Sequence, residues 1–297
     1  MEKLWLKSYP AGVPTDVDLT QYHSLVHLME ESFRKFADRN AFVCMDKFMS
    51  YGELDRLSMQ LAAWLQGRGL AKGARVAIMM PNVLQYPVAL AAVLRAGYTV
   101  VNVNPLYTPR ELEHQLTDSG AEAIIILENF AHTLEQVLPR TQVKHVVLAN
   151  MGELLGGVKG MIVNFVVRRV KKLVPAYTLP QVTRFKQALA EGSRMAFRPV
   201  ALSHDDVAFL QYTGGTTGIS KGATLLHRNV IANVLQIDEW AQPALKREPK
   251  IEVMTIVCAL PLYHIFALTA CALKGIRWGA LNVLIPNPRD IPGFVKE

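Results

Sequence analysis

Residues 212–222 read Tyr-Thr-Gly-Gly-Thr-Thr-Gly-Ile-Ser-Lys-Gly, four glycines, three threonines and one lysine directly after the apolar run 207–211. Such a segment suits phosphate. Glycine admits positive φ, so successive backbone N–H groups can turn toward one anion. The hydroxyls of Thr213, Thr216 and Thr217 add donors, and Lys221 adds a full positive charge. Residue order excludes a Walker A loop, in which lysine follows the last glycine: here Ile219 and Ser220 separate Gly218 from Lys221. A second segment, residues 260–268, sets Tyr263 and His264 in an apolar run that continues through Phe266 and Leu268. A lone histidine in such a run is ordinarily a hydrogen-bonded core residue, and only its company can give it a chemical role.

Both segments need a scaffold, and the pattern upstream supplies one. Between residues 40 and 149 short β-rich runs alternate with helical ones, which predicts crossover units and a parallel sheet buried on both faces. Strands are expected at 74–80, 98–103, 124–127 and 145–149. Ser50 and Glu53 form a capping box ahead of Leu54, Leu57, Leu61, Trp64 and Leu65, with Gly67 ending that helix. Residues 84–95 read as a helix stopped by Gly97, and Thr108 caps another with Pro109 in first position and Glu111 three residues after the cap. After residue 203 a strand at 207–211, the glycine loop and a strand at 223–226 form a hairpin wrapped around phosphate. A helix at about 229–240 and strands at 253–259 and 281–285 follow.

Residues 161–174 break the rhythm. Met161, Ile162, Phe165, Val166, Val170 and Leu173 have imperfect helical spacing, and Arg168, Arg169, Lys171 and Lys172 form a dense cationic cluster. The segment suits an interfacial helix on anionic lipid, and a solvated surface connector between two subdomains is the alternative. The expected organisation is a first α/β subdomain at 1–150, a connector with a membrane-contact segment at 151–202, and a second, truncated α/β subdomain at 203–297 carrying the phosphate loop.

With 297 residues and 51% hydrophobic content the chain is a packed globular protein of one large or two ordinary domains. Its +7 charge is spread among acidic residues, and no aromatic and basic interleaving points to nucleic acid. Cys44, Cys258 and Cys271 have no metal-ligand spacing and fit a reducing cytoplasm. The amino terminus lacks the apolar core of a secretory signal, and the uncharged run 76–94 contains Pro81, Asn82, Gln85 and Pro87, so it reads as strand, turn and helix rather than a membrane span.

The ordered run 212–222 resembles the signature of the adenylate-forming superfamily, which includes acyl-CoA synthetases, luciferases and peptide-synthetase adenylation domains. Gly214 stands where many members carry serine, and Ile219-Ser220 occupies positions that vary. Residues 260–268 resemble the family's next signature. Residues 4–18, 51–82, 102–112 and the run Asn287-Pro288-Arg289-Asp290 are similar to bacterial long-chain fatty-acid CoA ligases.

The resemblance implies an α/β fold, the large domain of an acyl-adenylate-forming ligase, with stacked, largely parallel sheets flanked by helices and without the small lid domain. It implies ATP-dependent activation of long-chain fatty acids to acyl-AMP and then acyl-CoA, with Mg2+ and coenzyme A. Tyr212, Thr213, Gly214, Gly215, Thr216, Thr217, Gly218, Lys221 and Gly222 would hold the nucleotide, with Thr217 near the metal. His264 and Lys221 would be catalytic, and Tyr263, His264, Phe266 and Leu268 would border the substrate. The adenine-binding, ribose-binding and lid motifs are absent from these residues, so the chain reads as an amino-terminal part, inactive alone. A cytoplasmic location is implied, with peripheral contact at the inner membrane face through residues 161–174, and homodimer formation stays open. The alternatives are a ligase for another carboxylic acid and a non-catalytic, membrane-associated binding module.

Overall fold

The computed structural model describes residues 3–213, 220–246 and 252–297. In chain order, α1 (Leu25–Lys35) precedes an antiparallel pair, β1 (Asn40–Cys44) and β2 (Lys47–Ser50). Next come α2 (Tyr51–Gln66), β3 (Arg75–Met79), α3 (Gln85–Arg95), β4 (Thr99–Asn102), α4 (Pro109–Ser119), β5 (Ala123–Leu127), α5 (Ala131–Val137) and β6 (His145–Ala149). After α6 (Gly157–Phe165) and β7 (Val182–Arg184) follow α7 (Phe185–Gly192), β8 (Val207–Thr213), β9 (Lys221–Leu226) and α8 (His227–Leu245). The last elements are β10 (Thr255–Cys258), α9 (Ile265–Ala267), α10 (Lys274–Trp278), β11 (Leu281–Leu284) and α11 (Ile291–Lys296).

Among the described residues the strands form two sheets. The larger has the order β7-β6-β5-β3-β4-β8-β9 and is parallel except where β8 meets β9. The smaller has the order β10-β11-β1-β2 and is parallel except where β1 meets β2. Every residue of β4, β5 and α3 is buried. Apolar sequence on both sides of a strand is what a sheet covered on both faces requires, and a helix apolar all round belongs in the interior.

Period-two alternation sorts the side chains between the faces. Val76, Ile78, Ile125 and Val147 join the core that contains Trp64 of α2, Tyr86 of α3 and Phe185 of α7. Ala77, Met79, Ile124, Ile126 and Leu148 join the core beneath Leu112 and Leu116 of α4 and Leu134 of α5. Each sheet takes strands from both sides of residues 151–202, since β1 and β2 pair into the sheet of β10 and β11, and β8 joins β4. The connector itself contributes β7 to the edge of the larger sheet.

Local signals in the sequence account for most element ends. Thr108 and Glu111 form the reciprocal cap on α4: Thr108 N donates to Glu111 Oε2 (2.8 Å), and Glu111 N donates to Thr108 Oγ1 (3.4 Å). On α2, Ser50 Oγ accepts from Glu53 N at 3.0 Å. The β1–β2 turn carries no Asn-Gly signal. Met45 and Asp46 take left-handed backbone (φ 49° and 55°), a conformation that sequence rules assign to other residue types. The expected helix at 229–240 extends over His227–Leu245, and Pro243 falls inside its last turn. His227 is buried and its Nδ1 accepts from Leu25 N at 3.1 Å, tying α8 to α1. Burial lowers its pKa to about 4, which keeps that nitrogen unprotonated and able to accept.

Candidate functional site

Because β3, β4, β5, β6 and β8 run parallel, the segments that leave their carboxyl ends open on one edge of the larger sheet. The segments leaving β10 and β11 do the same in the smaller sheet. A cavity of about 500 Å³ lies where these edges meet. Its walls are Pro81 and Asn82 after β3, Pro105 and Leu106 after β4, Asn129 and Phe130 after β5 and Met151 after β6. Ala259, Pro261 and Tyr263 after β10, residues 285–289 after β11, and Leu127 and Leu173 complete it. The carboxyl edge of an open parallel sheet is where α/β proteins bind ligands, and a mostly apolar wall with a few amides suits a largely apolar ligand.

A buried polar network fixes the segment after β10. Asn82 Nδ2 donates to the carbonyls of Cys258 (2.8 Å) and Leu260 (3.0 Å), while its Oδ1 accepts from Leu262 N (2.8 Å). The Tyr86 hydroxyl lies 2.7 Å from Leu262 O and 2.8 Å from Asn102 Oδ1 and shares its single proton between them. Asn102 Nδ2 donates to Gln211 Oε1 (3.1 Å), and Gln211 Nε2 donates to Tyr263 O (2.9 Å). Side chains from α3, β4 and β8 therefore hold the backbone that presents Tyr263 and His264. Burial pushes the Tyr86 hydroxyl pKa up, so it stays a donor. These positioning residues are missing from the expected site list. Their one sequence signal is the placing of Asn82, Asn102 and Gln211 in otherwise apolar, buried runs, where a polar side chain needs partners.

The phosphate-loop expectation falls on a β-hairpin. Strands β8 and β9 pair antiparallel, with Tyr212 opposite Gly222 and Thr213 opposite Lys221. Ser220 Oγ donates to Thr213 O at 2.7 Å, and Ser220 O accepts from His114 Nε2 at 2.9 Å, so α4 braces the hairpin mouth. The Tyr212 hydroxyl donates to Asp118 on α4, and burial followed by that carboxylate pushes the phenol pKa up. A Cβ on Gly222 would stand 2.9 Å from the Tyr212 ring, which is why only glycine lets the ring lie across β9. Thr213 and Lys221 are exposed, and Lys221 has no ion-pair partner among the described residues. Gly214, Gly215, Thr216, Thr217 and Gly218 lie outside the described residues.

His264 is exposed at the head of α9, its Nδ1 accepting from Phe266 N at 3.4 Å. Tyr263 lines the cavity. Phe266 and Leu268, the expected walls of an acyl tunnel, do not line it: Phe266 is 59% exposed, and Leu268 is fully buried in the main core. Among the described residues no three His, Cys, Asp or Glu side chains gather to hold a metal. An exposed cationic hairpin beside an apolar chamber can bind a polyanion at one end and an apolar acid at the other.

Comparison with known proteins agrees with this arrangement. A family model described as AMP-binding enzyme matches residues 29–297. The chain is 56% identical over its full length to a long-chain-fatty-acid–CoA ligase of Escherichia coli O6:H1, covering 52% of that protein. It is 48% identical to one of Haemophilus influenzae, covering 53% of it. A solved long-chain-fatty-acid-CoA ligase from Archaeoglobus fulgidus has a TM-score of 0.71 at 25% identity, over 94% of this chain and 50% of that one. An anthranilate CoA ligase in complex with anthranoyl-AMP reaches the same TM-score at 18% identity, over 90% of this chain and 45% of that one, a likeness of fold alone. The chain spans about half the length of the curated relatives it matches. An α/β scaffold with its cavity at the carboxyl edge, and a family match over residues 29–297, put this chain in the AMP-binding enzyme family.

Proposed function

We propose that this chain supplies the nucleotide and acyl sites for ATP-dependent, AMP-forming activation of a long-chain fatty acid. The observation that carries the reading is the 56% identity, over every residue, to a protein named for that reaction. A carboxylate oxygen of the fatty acid attacks the α-phosphorus of ATP, the bond to the bridging oxygen breaks, and pyrophosphate leaves. The thiolate of coenzyme A then attacks the acyl carbonyl and AMP departs. Charge grows on the β and γ phosphates in the first step, so the work of the protein is electrostatic. Backbone N–H groups of 213–218, the threonine hydroxyls and Lys221 would take that charge. Thr217 would offer a hydroxyl to the Mg2+ that enters with ATP as part of the substrate. His264 would orient the carboxylate and Tyr263 its neighbouring carbons, and the acyl chain would occupy the chamber at the carboxyl edge.

The 29% identity to a rice 4-coumarate–CoA ligase, over 85% of this chain, favours a second reading, activation of an aryl acid. A competition assay separates them. With the 297 residues joined to the remaining half of the Escherichia coli relative, AMP release with palmitate, octanoate and 4-coumarate in one mixture is expected to follow palmitate. Preference for 4-coumarate would overturn the long-chain reading. Residues 1–150 and 203–297 each contribute strands to both sheets, and 151–202 adds β7 to the larger one.

Membrane contact through residues 161–174, at the cytoplasmic face, belongs to the same proposal. No helix among the described residues is long and apolar enough to cross a membrane. Val158, Met161, Ile162 and Phe165, spaced i, i+3, i+4, i+7, form one face of α6 and are 68, 65, 58 and 62% exposed. An apolar helix face turned to solvent suits an interfacial helix. A π-helical turn, Val166–Val170, follows, which is why the spacing over 161–174 is imperfect in sequence.

A further inference from the structure

Next to that exposed face lies a second cavity, of about 430 Å³, with a different chemistry. Asn164, Phe165, Arg168, Arg169, Tyr177 and Arg184 line it. Two of its three guanidinium groups, those of Arg168 and Arg184, pair with one buried acid. Glu128, at the carboxyl end of β5, is 1% exposed and takes both Arg168 Nε (2.8 Å) and Arg168 Nη2, with Arg184 Nη1 at 3.6 Å. Arg169 has no partner among the described residues. Glu153, also buried, acts on Arg168 and Arg184 as a second acid, so three arginines against Glu128 and Glu153 leave a formal charge of +1, carried by Arg169. Arginine pairs its planar fork with two oxygens of a phosphate, so an uncompensated guanidinium beside two oriented ones favours a phosphate-type anion.

The scaffold holds this cavity in a fixed relation to the apolar face. Gly160 is pressed against Gly152, where a Cβ on either would meet the other's carbonyl oxygen at 2.3 or 2.2 Å. Asn164 Oδ1 also accepts from Gly152 N at 2.8 Å. These contacts seat α6 by its glycine side and turn the row of Val158, Met161, Ile162 and Phe165 outward. Phe165 belongs to both the row and the cavity wall. At the far end Asn129 Nδ2 donates to Leu173 O at 3.1 Å, and Asn129 and Leu173 both line the apolar chamber of the candidate site.

We infer that the Arg168, Arg169 and Arg184 cavity is a binding site for the phosphodiester of an anionic phospholipid, whose acyl chains lie along the exposed row of α6. The inference rests on the membrane-contact reading and names its partner. Free phosphate shares the chemistry of the headgroup, but it would leave the adjacent apolar row without a role, and an amphiphile occupies both. Docked this way, the chain holds the mouth lined by Leu173 at the bilayer surface.

Sedimentation with phosphatidylcholine vesicles, with and without phosphatidylglycerol, tests it on the full 297-residue chain. Arg169→Ala is expected to weaken binding to phosphatidylglycerol vesicles about tenfold or more, as loss of a charge-assisted pair implies. Lys171→Ala and Lys172→Ala, which alter only diffuse attraction, should each cost about fivefold. Equal losses from all three would overturn the site and keep the docking reading. Phe165→Ser should weaken binding to both kinds of vesicle. No vesicle binding by the unaltered chain would overturn docking and site together. Competition by inorganic phosphate equal to that by vesicles would make the cavity a free-anion site. A row that instead mediates self-association, lost in Phe165→Ser, would also overturn the proposal. Arg169 and Phe165 are exposed, so neither substitution disturbs the core.

Discussion

Replacing Lys221 with alanine is expected to lower palmitate-dependent ATP–pyrophosphate exchange by about 10²–10³-fold, in the protein completed with the carboxy-terminal half of its Escherichia coli relative. Removing one preorganised donor from a developing anion has that magnitude. The side chain is exposed and has no ion-pair partner among the described residues, and its backbone pairing with Thr213 does not depend on the ammonium. Stability should therefore be unchanged while exchange falls. Lys221→Arg restores charge but not the compact ammonium and should recover only part of the rate. Exchange at the unaltered rate in Lys221→Ala would remove the hairpin lysine from the chemistry.

Asn82→Ala should lower the unfolding free energy by about 3 kcal/mol, read from the denaturant midpoint, because three hydrogen bonds are lost at once and two of the backbone partners, at Cys258 and Leu262, stay buried. The same change frees the segment that presents Tyr263 and His264, so the KM for palmitate should rise in the completed protein. Asn82→Asp keeps the acceptor for Leu262 N but sets a buried carboxylate oxygen against Cys258 O and Leu260 O, and should lower the midpoint at least as far as Asn82→Ala. A midpoint unchanged in Asn82→Ala would show that the network does not hold the segment.

These expectations depend on features of unequal legibility in the sequence. Strands β3 to β6, the Thr108 cap and the β8–β9 hairpin follow from local rules, because apolar period, capping residues and turn formers act within a few positions of one another. The facing of Thr213 and Lys221 was legible for a related reason, since these strand ends lie only eight positions apart in the sequence. The Asn82 and Tyr86 network was not, because the segment it holds is reached through backbone carbonyls and one backbone N–H more than 170 positions away, with sequence separations of 176, 178 and 180. Backbone groups carry no residue signature. The placing of Leu268 shows the same limit: an apolar residue after His264 serves a core or a tunnel equally well, and tertiary packing puts this one in the core. Division into sheets was illegible for a topological reason, since the pairing of β1 with β11 joins residues 42 and 282.

In the proposed reaction a fatty-acid carboxylate attacks the α-phosphorus of ATP beside the β8–β9 hairpin. Palmitate labelled with oxygen-18 in its carboxylate tests this directly in the completed protein with ATP, Mg2+ and coenzyme A. Attack at the α-phosphorus, followed by thiolysis at the carbonyl, leaves one labelled oxygen in AMP and none in pyrophosphate. Unlabelled AMP, or label in inorganic phosphate with ADP as the second product, would contradict the account.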